Sequence, residues 1–237
     1  MMSHKKIQKV AIIPARYGSK RIKKKNLKNF NSKPMISWVL KKLVKENFFD
    51  KIVVSSDDKK ILDIAKKYGA NILIKRPTNL SGDKVATQPV IKHAIFELEK
   101  KYNYYADFIC CVYPCNPFIQ IKDLTNGFEK IKKNHKRYIF PITEYSHPIQ
   151  RALKIKKKEF ISAFFSKKNS TQRTQDLRKS YHDTGQFYWG ANKLWKKEID
   201  VHSKGLGIIV PNWRVVDIDT PADWKKAEIL YKLINIK

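Results

Sequence analysis

Acidic side chains are scarce in this chain. Its 237 residues hold 21 Asp and Glu against 50 Lys and Arg, a formal charge of +29 at pH 7. Cysteine is rarer still. The three present, Cys110, Cys111 and Cys115, are an odd number crowded into six positions, which excludes a disulfide framework and the paired spacing of a zinc site and leaves them as core or pocket residues. Long apolar runs are missing as well: nothing approaches the roughly 18 uninterrupted apolar residues of a membrane span. Residues 1–9 are charged and lack the apolar segment of a signal peptide, so the expectation is a cytoplasmic protein with no membrane partner. The patterns GxxxxGK[ST], GxGxxG and GxSxG do not occur, which disfavours a P-loop ATPase, a dinucleotide enzyme and a serine hydrolase. What remains is a chain with 42% hydrophobic and 12% aromatic residues, enough to build a buried core and to exclude intrinsic disorder.

Arginine is sparse among the basic residues. Only eight of the 50 are Arg, so 42 are Lys, whereas bidentate recognition of phosphates and bases favours Arg. Most of the excess therefore reads as lysine-rich solvated surface, and a nucleic-acid-binding protein is the weaker alternative. The first 50 residues stand apart, with 14 basic residues against two acidic ones.

Short apolar runs alternate with amphipathic segments along the first 140 residues. Segments 10–15, 52–55, 71–74, 107–113 and 138–142 read as buried strands, and 34–46, 58–68, 87–101 and 121–134 as helices. Such alternation implies βαβ units, hence an α/β fold with a mainly parallel sheet covered by helices on both faces. From about 143 to 181 the chain turns polar and basic, which reads as an inserted excursion from one domain spanning 1–237. Strands are expected again at 185–190 and 213–218. A last helix begins at Pro221, with Thr220 as N-cap and Asp223 supporting the cap.

Three segments have the makings of a site. The first strand runs into Ala15, Arg16, Tyr17, Gly18, Ser19, Lys20 and Arg21, then through lysines to Lys25 and Asn26. A loop of this kind at the carboxyl end of a parallel strand offers backbone N–H groups and cations to a polyphosphate. Asp217 and Asp219 are spaced so that a strand would turn both to one face. Two adjacent carboxylates call for a cation between them, and Mg²⁺ binds through one or two carboxylates plus water and substrate phosphates. The third segment, residues 181–190, mixes His182, Asp183, Gln186 and Tyr188 with glycines and suits a sugar-sized pocket. Phe187 and Trp189 are expected to face the core on the side opposite Gln186 and Tyr188. A His182–Asp183 hydrolytic dyad is disfavoured, because sequence neighbours on a strand face opposite sides and no nucleophile motif accompanies them.

With these residues in view, the chain resembles the acylneuraminate cytidylyltransferase family, the CMP-sugar synthetases of nonulosonic acids, over nearly its whole length. The resemblance rests on residues 13–21 with Lys25 and Asn26, on Arg76 and Pro77 with Leu80, and on the Asp217 and Asp219 pair. Segments 87–95, 147–153, 181–190 and 215–224 look like the pseudaminate branch rather than the sialate branch. The resemblance implies a Rossmann-like nucleotidyltransferase fold with a dimerisation arm at about 143–181, and a homodimer or a dimer of such dimers. It implies transfer of CMP from CTP to the anomeric hydroxyl of a nonulosonic acid, with Mg²⁺ as cofactor. Ala15, Arg16, Gly18, Ser19 and Lys25 would then hold the triphosphate, and Asn26, Arg76 and Ser81 the cytidine side. Asp217 and Asp219 would bind the metal, and Arg16 and Lys25 would stabilise the departing pyrophosphate. Gln150, Arg151, His182, Gln186 and Tyr188 are expected on the sugar side, with Arg151 toward the substrate carboxylate. CMP-sugar synthetases for legionaminate, N-acetylneuraminate or the octulosonate are the alternatives within the family. Tyr17 stands where the family usually has Gly.

Overall fold

Val10, Ala11, Ile12 and Ile13 have no exposed surface at all, as expected of a strand with neighbours on both sides and helices on both faces. They form β1 (Lys9–Pro14), the centre of an eight-stranded sheet. The computed structural model describes residues 6–156, 159–165 and 172–234.

After β1 a two-stranded ribbon, β2 (Asn29–Phe30) and β3 (Lys33–Pro34), leads into α1 (Met35–Lys45). Then come β4 (Lys51–Ser56), α2 (Lys59–Lys67) and β5 (Ile72–Lys75). Asp58 caps α2 by accepting from the Ile61 N–H at 2.9 Å, which satisfies one orphan donor of the first turn. The chain crosses back through α3 (Thr87–Tyr102) to β6 (Phe108–Val112), α4 (Ile121–Lys133) and β7 (Tyr138–Glu144). A hairpin, β8 (Leu153–Ile155) and β9 (Ile161–Ala163), precedes β10 (Tyr181–Asp183) and β11 (Phe187–Ala191). Helix α5 (Asn192–Lys196), β12 (Gly205–Ile209) and α6 (Pro221–Ile234) complete the order.

Sheet order is β10-β7-β11-β6-β1-β4-β5, with β12 on β7. Strands β6, β1, β4 and β5 pair in parallel, whereas β11 lies antiparallel to both β6 and β7. This is the expected α/β architecture, with two antiparallel strands, β10 and β11, in a mainly parallel sheet. Phe187 and Trp189 pack in one hydrophobic cluster and Tyr188 in the cluster on the other face, the split that strand alternation predicts. All three cysteines are free thiols; Cys110 and Cys111 are buried.

One expectation fails. Residues 213–218 do not form a strand: a single 3-10 turn, Asn212–Arg214, is followed by irregular chain. That segment finds no sheet edge. It is fixed instead by Ile218, 1% exposed among Phe30, Trp224 and Ala227, a burial worth about 1.5–3 kcal/mol. Strand β12, in turn, was not expected. Within the excursion, residues 157, 158 and 166–171 lie outside the described residues, and the part described holds the β8–β9 hairpin. No helix among the described residues is long and apolar enough to cross a membrane.

Candidate active site

From β1 the chain steps to β4 and β5 on one side, then crosses through α3 to β6 on the other. The loops that leave β1 and β6 at their carboxyl ends therefore part in opposite directions and open a crevice, the position where α/β sheets bind ligands. Those loops, with parts of segments 76–90 and 183–188 and with residues 217–219, line a cavity of about 860 Å³.

The loop after β1 is braced from within. Asn26 is 6% exposed; its amide donates to the Arg16 carbonyl at 2.8 Å and accepts from the Cys115 thiol at 3.1 Å. Burial pushes the Cys115 thiol up to about 12, which keeps it protonated and a donor. Arg16 and Lys20 both pair with Asp83, Lys20 at 2.5 Å, and these two cations, Lys20 first, hold the Asp83 carboxyl below the usual range. Arg76 is 4% exposed. It reaches Asp57 only at 3.6 Å, and its Nε and Nη2 have no hydrogen-bond partner among the described residues. Burial lowers its affinity for a proton, with Asp57 acting in the opposite direction. A buried guanidinium with two orphaned nitrogens on a cavity wall is a ready donor to a ligand oxygen.

Facing this loop is the acidic pair. Lys25 Nζ donates to the Ile218 carbonyl at 2.7 Å and to Asp219 at 3.1 Å, and Arg21 reaches Asp219 at 2.6 Å. Asp217 has its pKa raised, first by burial and then by the Asp219 charge. The segment is clamped at both ends. Ahead of it, Arg214 pairs with Asp123 of α4 at 2.7 Å. Behind it, Asp223 accepts from the Thr220 N–H at 2.8 Å, and Thr220 Oγ1 accepts from the Asp223 N–H at 3.2 Å. This capping box on α6 is the one its sequence implied. No group of three or more His, Cys, Asp or Glu among the described residues could hold a metal unaided. The donor set suits an ion completed by substrate phosphates and water.

Of the residues singled out in the sequence, Arg16, Ser19, Lys25, Asn26, Arg76, Tyr188, Asp217 and Asp219 all line the cavity. Others stand elsewhere. Ala15 is buried, its N–H donating to the Ser55 carbonyl at 2.9 Å, and Ser81 donates to the Pro77 carbonyl at 3.0 Å. Gly18 is not part of the lining. On the expected sugar side, Gln150 donates to the Arg178 carbonyl at 2.7 Å and Arg151 to the Gln172 carbonyl. His182 stacks obliquely on Tyr145 at 4.8 Å between ring centroids, and Gln186 is 3% exposed behind the strand start. None of these four reaches the cavity within this chain.

Residues 10–201 match the family described as cytidylyltransferase. The chain belongs to the cytidylyltransferase family. Over 228 residues this cytidylyltransferase is 38% identical to the pseudaminic acid cytidylyltransferase of Campylobacter jejuni subsp. jejuni, covering 96% of this chain and 97% of that one. It is 28% identical over 231 residues to the N-acylneuraminate cytidylyltransferase of Escherichia coli, covering 92% of this chain and 51% of the relative. Among solved structures, CMP:2-keto-3-deoxy-manno-octonic acid synthetase complexed with CTP superposes with a TM-score of 0.70 at 15% identity, covering 96% of this chain and 99% of the other. The fold is thus the Rossmann-like one expected, and the protein is a nucleotidyltransferase.

Several residues of the cytidylyltransferase cavity were not singled out: Asp83, Thr87, Tyr113 and His202. Asp183 had been weighed with His182, but its partners are Tyr188 and His202. Tyr113 and Thr87 join hydroxyls at 2.6 Å. Each of these sits on a different element, so no spacing along the chain announces the group.

Proposed function

We propose that the protein transfers CMP from CTP to the anomeric hydroxyl of pseudaminic acid, releasing pyrophosphate. The observation that carries this is the meeting, in one cavity, of the basic loop and the Asp217–Asp219 pair, in a chain similar over its full length to enzymes named for that substrate. In this reading Arg16, Ser19, Lys20 and Lys25 hold the triphosphate, and Asn26 and Arg76 lie toward the nucleoside. Lys25 and Arg16 offset the charge that grows on the departing pyrophosphate. Attack at phosphorus depends on alignment and charge rather than on a protein nucleophile, which is consistent with a cavity whose thiol is held neutral.

Mg²⁺ is the metal that fits. Bound to Asp217 and Asp219, it would offset phosphate charge and lower the pKa of the attacking hydroxyl. Lys25 and Arg21 pair with Asp219.

A homodimer is part of the same proposal. On the hairpin, Leu153, Ile155, Phe160, Ile161 and Phe164 are 59–79% exposed, an apolar row of a kind that marks protein contacts. A second copy covering it would make residues 143–181 an arm, and could bring Gln150 and Arg151 to the partner's cavity. CTP as substrate supports a cytoplasmic enzyme, and a concave 860 Å³ cavity supports a single nucleotide as the polyanion bound. Pyrophosphate release with CTP, Mg²⁺ and a panel of nonulosonic acids tests the assignment.

A further inference from the structure

A second polar cluster in the cavity shares no side-chain bond with the basic loop. Asp183, at the end of β10, accepts from the Gly185 N–H at 2.8 Å on one oxygen. On the other it meets the Tyr188 hydroxyl at 2.7 Å and His202 Nε2 at 2.8 Å. Gly185 adopts a positive φ of 61°, which folds the chain back so that its N–H can reach that carboxylate. The cluster joins β10, β11 and the turn after α5, and all three side chains line the cavity.

The proton positions follow from valence. An ionised Asp183 only accepts, so His202 Nε2 is its donor, and when the ring is neutral Nδ1 is an acceptor. No described residue donates to Nδ1. The His202 side chain is 60% exposed and rests edge-on against Phe140 at 5.4 Å between ring centroids. It lines both the main cavity and an adjoining chamber of about 180 Å³ walled by Trp195 and Val201.

Tying down its own turn does not require this histidine. Asp200 already accepts from the backbone N–H groups of His202 and Ser203, at 3.0 and 2.7 Å, and Ser203 Oγ donates to the Asp200 carbonyl at 2.9 Å. Val201 is 9% exposed beneath it. An oriented, solvent-facing imidazole with a free acceptor on the wall of a ligand cavity is a recognition group. It lies one residue beyond the segment that matches the family.

We propose that His202 contacts the acceptor sugar, its Nδ1 accepting a hydrogen bond from a sugar hydroxyl or amide N–H, with Asp183 as the positioning residue that fixes the ring and its tautomer. This rests on the sugar-acid reading above. The test uses the full chain, with KM for pseudaminic acid and for CTP determined separately. His202→Phe keeps the packing on Phe140 and removes the acceptor; it is expected to raise KM for the sugar about tenfold, leaving KM for CTP and Tm within error of wild type. Asp183→Asn lets the amide donate to Nε2 and so inverts the tautomer. It should raise the sugar KM as well, and the double variant should be no worse than His202→Phe alone. An unchanged sugar KM in His202→Phe overturns the proposal, as does a parallel rise of both KM values with a fall in Tm, which is the mark of a structural tie. A wild-type enzyme that turns over no sugar acid overturns the underlying reading, and this proposal with it.

Discussion

Lys25 and Asp219, 194 positions apart in the chain, meet at 3.1 Å, while the same ammonium donates to the Ile218 carbonyl at 2.7 Å. One lysine thus ties the basic loop to the acidic segment and sets the gap in which phosphates and a metal would lie. Lys25→Ala is expected to lower kcat by about 10²-fold, the usual cost of removing a charge aimed at a transition state. Tm should fall modestly, because this part-buried pair contributes about 1 kcal/mol. Steady-state pyrophosphate release and a thermal melt check both halves; a full-rate variant would place Lys25 outside the chemistry.

Asp83 bridges Arg16 and Lys20, so it occupies cations that, in the proposed reading, a triphosphate would engage. Replacing it with Asn removes a competing anion. CTP should then bind a few-fold more tightly, up to about fivefold for a surface pair, in calorimetric titrations at low salt. The gain should shrink as ionic strength rises. Weaker binding would mean that Asp83 presents Arg16 to the nucleotide rather than competing for it.

The capping box of α6 gives a pH signature. Hydrogen bonds from Thr220 hold the Asp223 carboxyl below its ordinary 3.8. A carboxyl whose folded pKa is depressed stabilises the fold above its unfolded pKa, and the contribution is lost as pH falls through the folded value. Asp223→Ala should therefore be less stable than wild type by about 1 kcal/mol at neutral pH. That gap should close only below pH 3.8, and denaturant melts across the acid range would display it.

Ile155 is 79% exposed on the hairpin. If a second copy covers that face, Ile155→Asp should shift the protein from dimer to monomer in sedimentation velocity while the isolated fold keeps its Tm. A wild-type protein that sediments as a monomer contradicts the arm assignment.

Most of the sheet could be read from the sequence because each inner strand is an unbroken apolar run. Strand β12 could not: Gly205, Gly207 and the preceding Lys204 look like a turn. The small residue at 205 is needed because a Cβ there would stand 2.5 Å from Phe140. Residues 213–218 misled in the opposite sense, since an apolar run buried in a loop has the composition of a strand and only the lack of a partner tells them apart. The basic end of the cavity was legible because Arg16, Ser19, Lys25 and Asn26 are close in sequence. The opposite end was not, because Tyr113, Asp183 and His202 converge from separate elements. Gln150, Arg151 and His182 form no part of the cavity in a single chain.

The central claim is tested most directly by the initial rate of pyrophosphate release from CTP and Mg²⁺, with pseudaminic acid compared against legionaminic acid, N-acetylneuraminic acid and the octulosonate. The account predicts the highest kcat/KM with pseudaminic acid, and a loss of about 10²-fold or more in both Asp217→Asn and Asp219→Asn. A higher kcat/KM with another acid would contradict the substrate assignment, and full turnover in both variants would contradict the metal site.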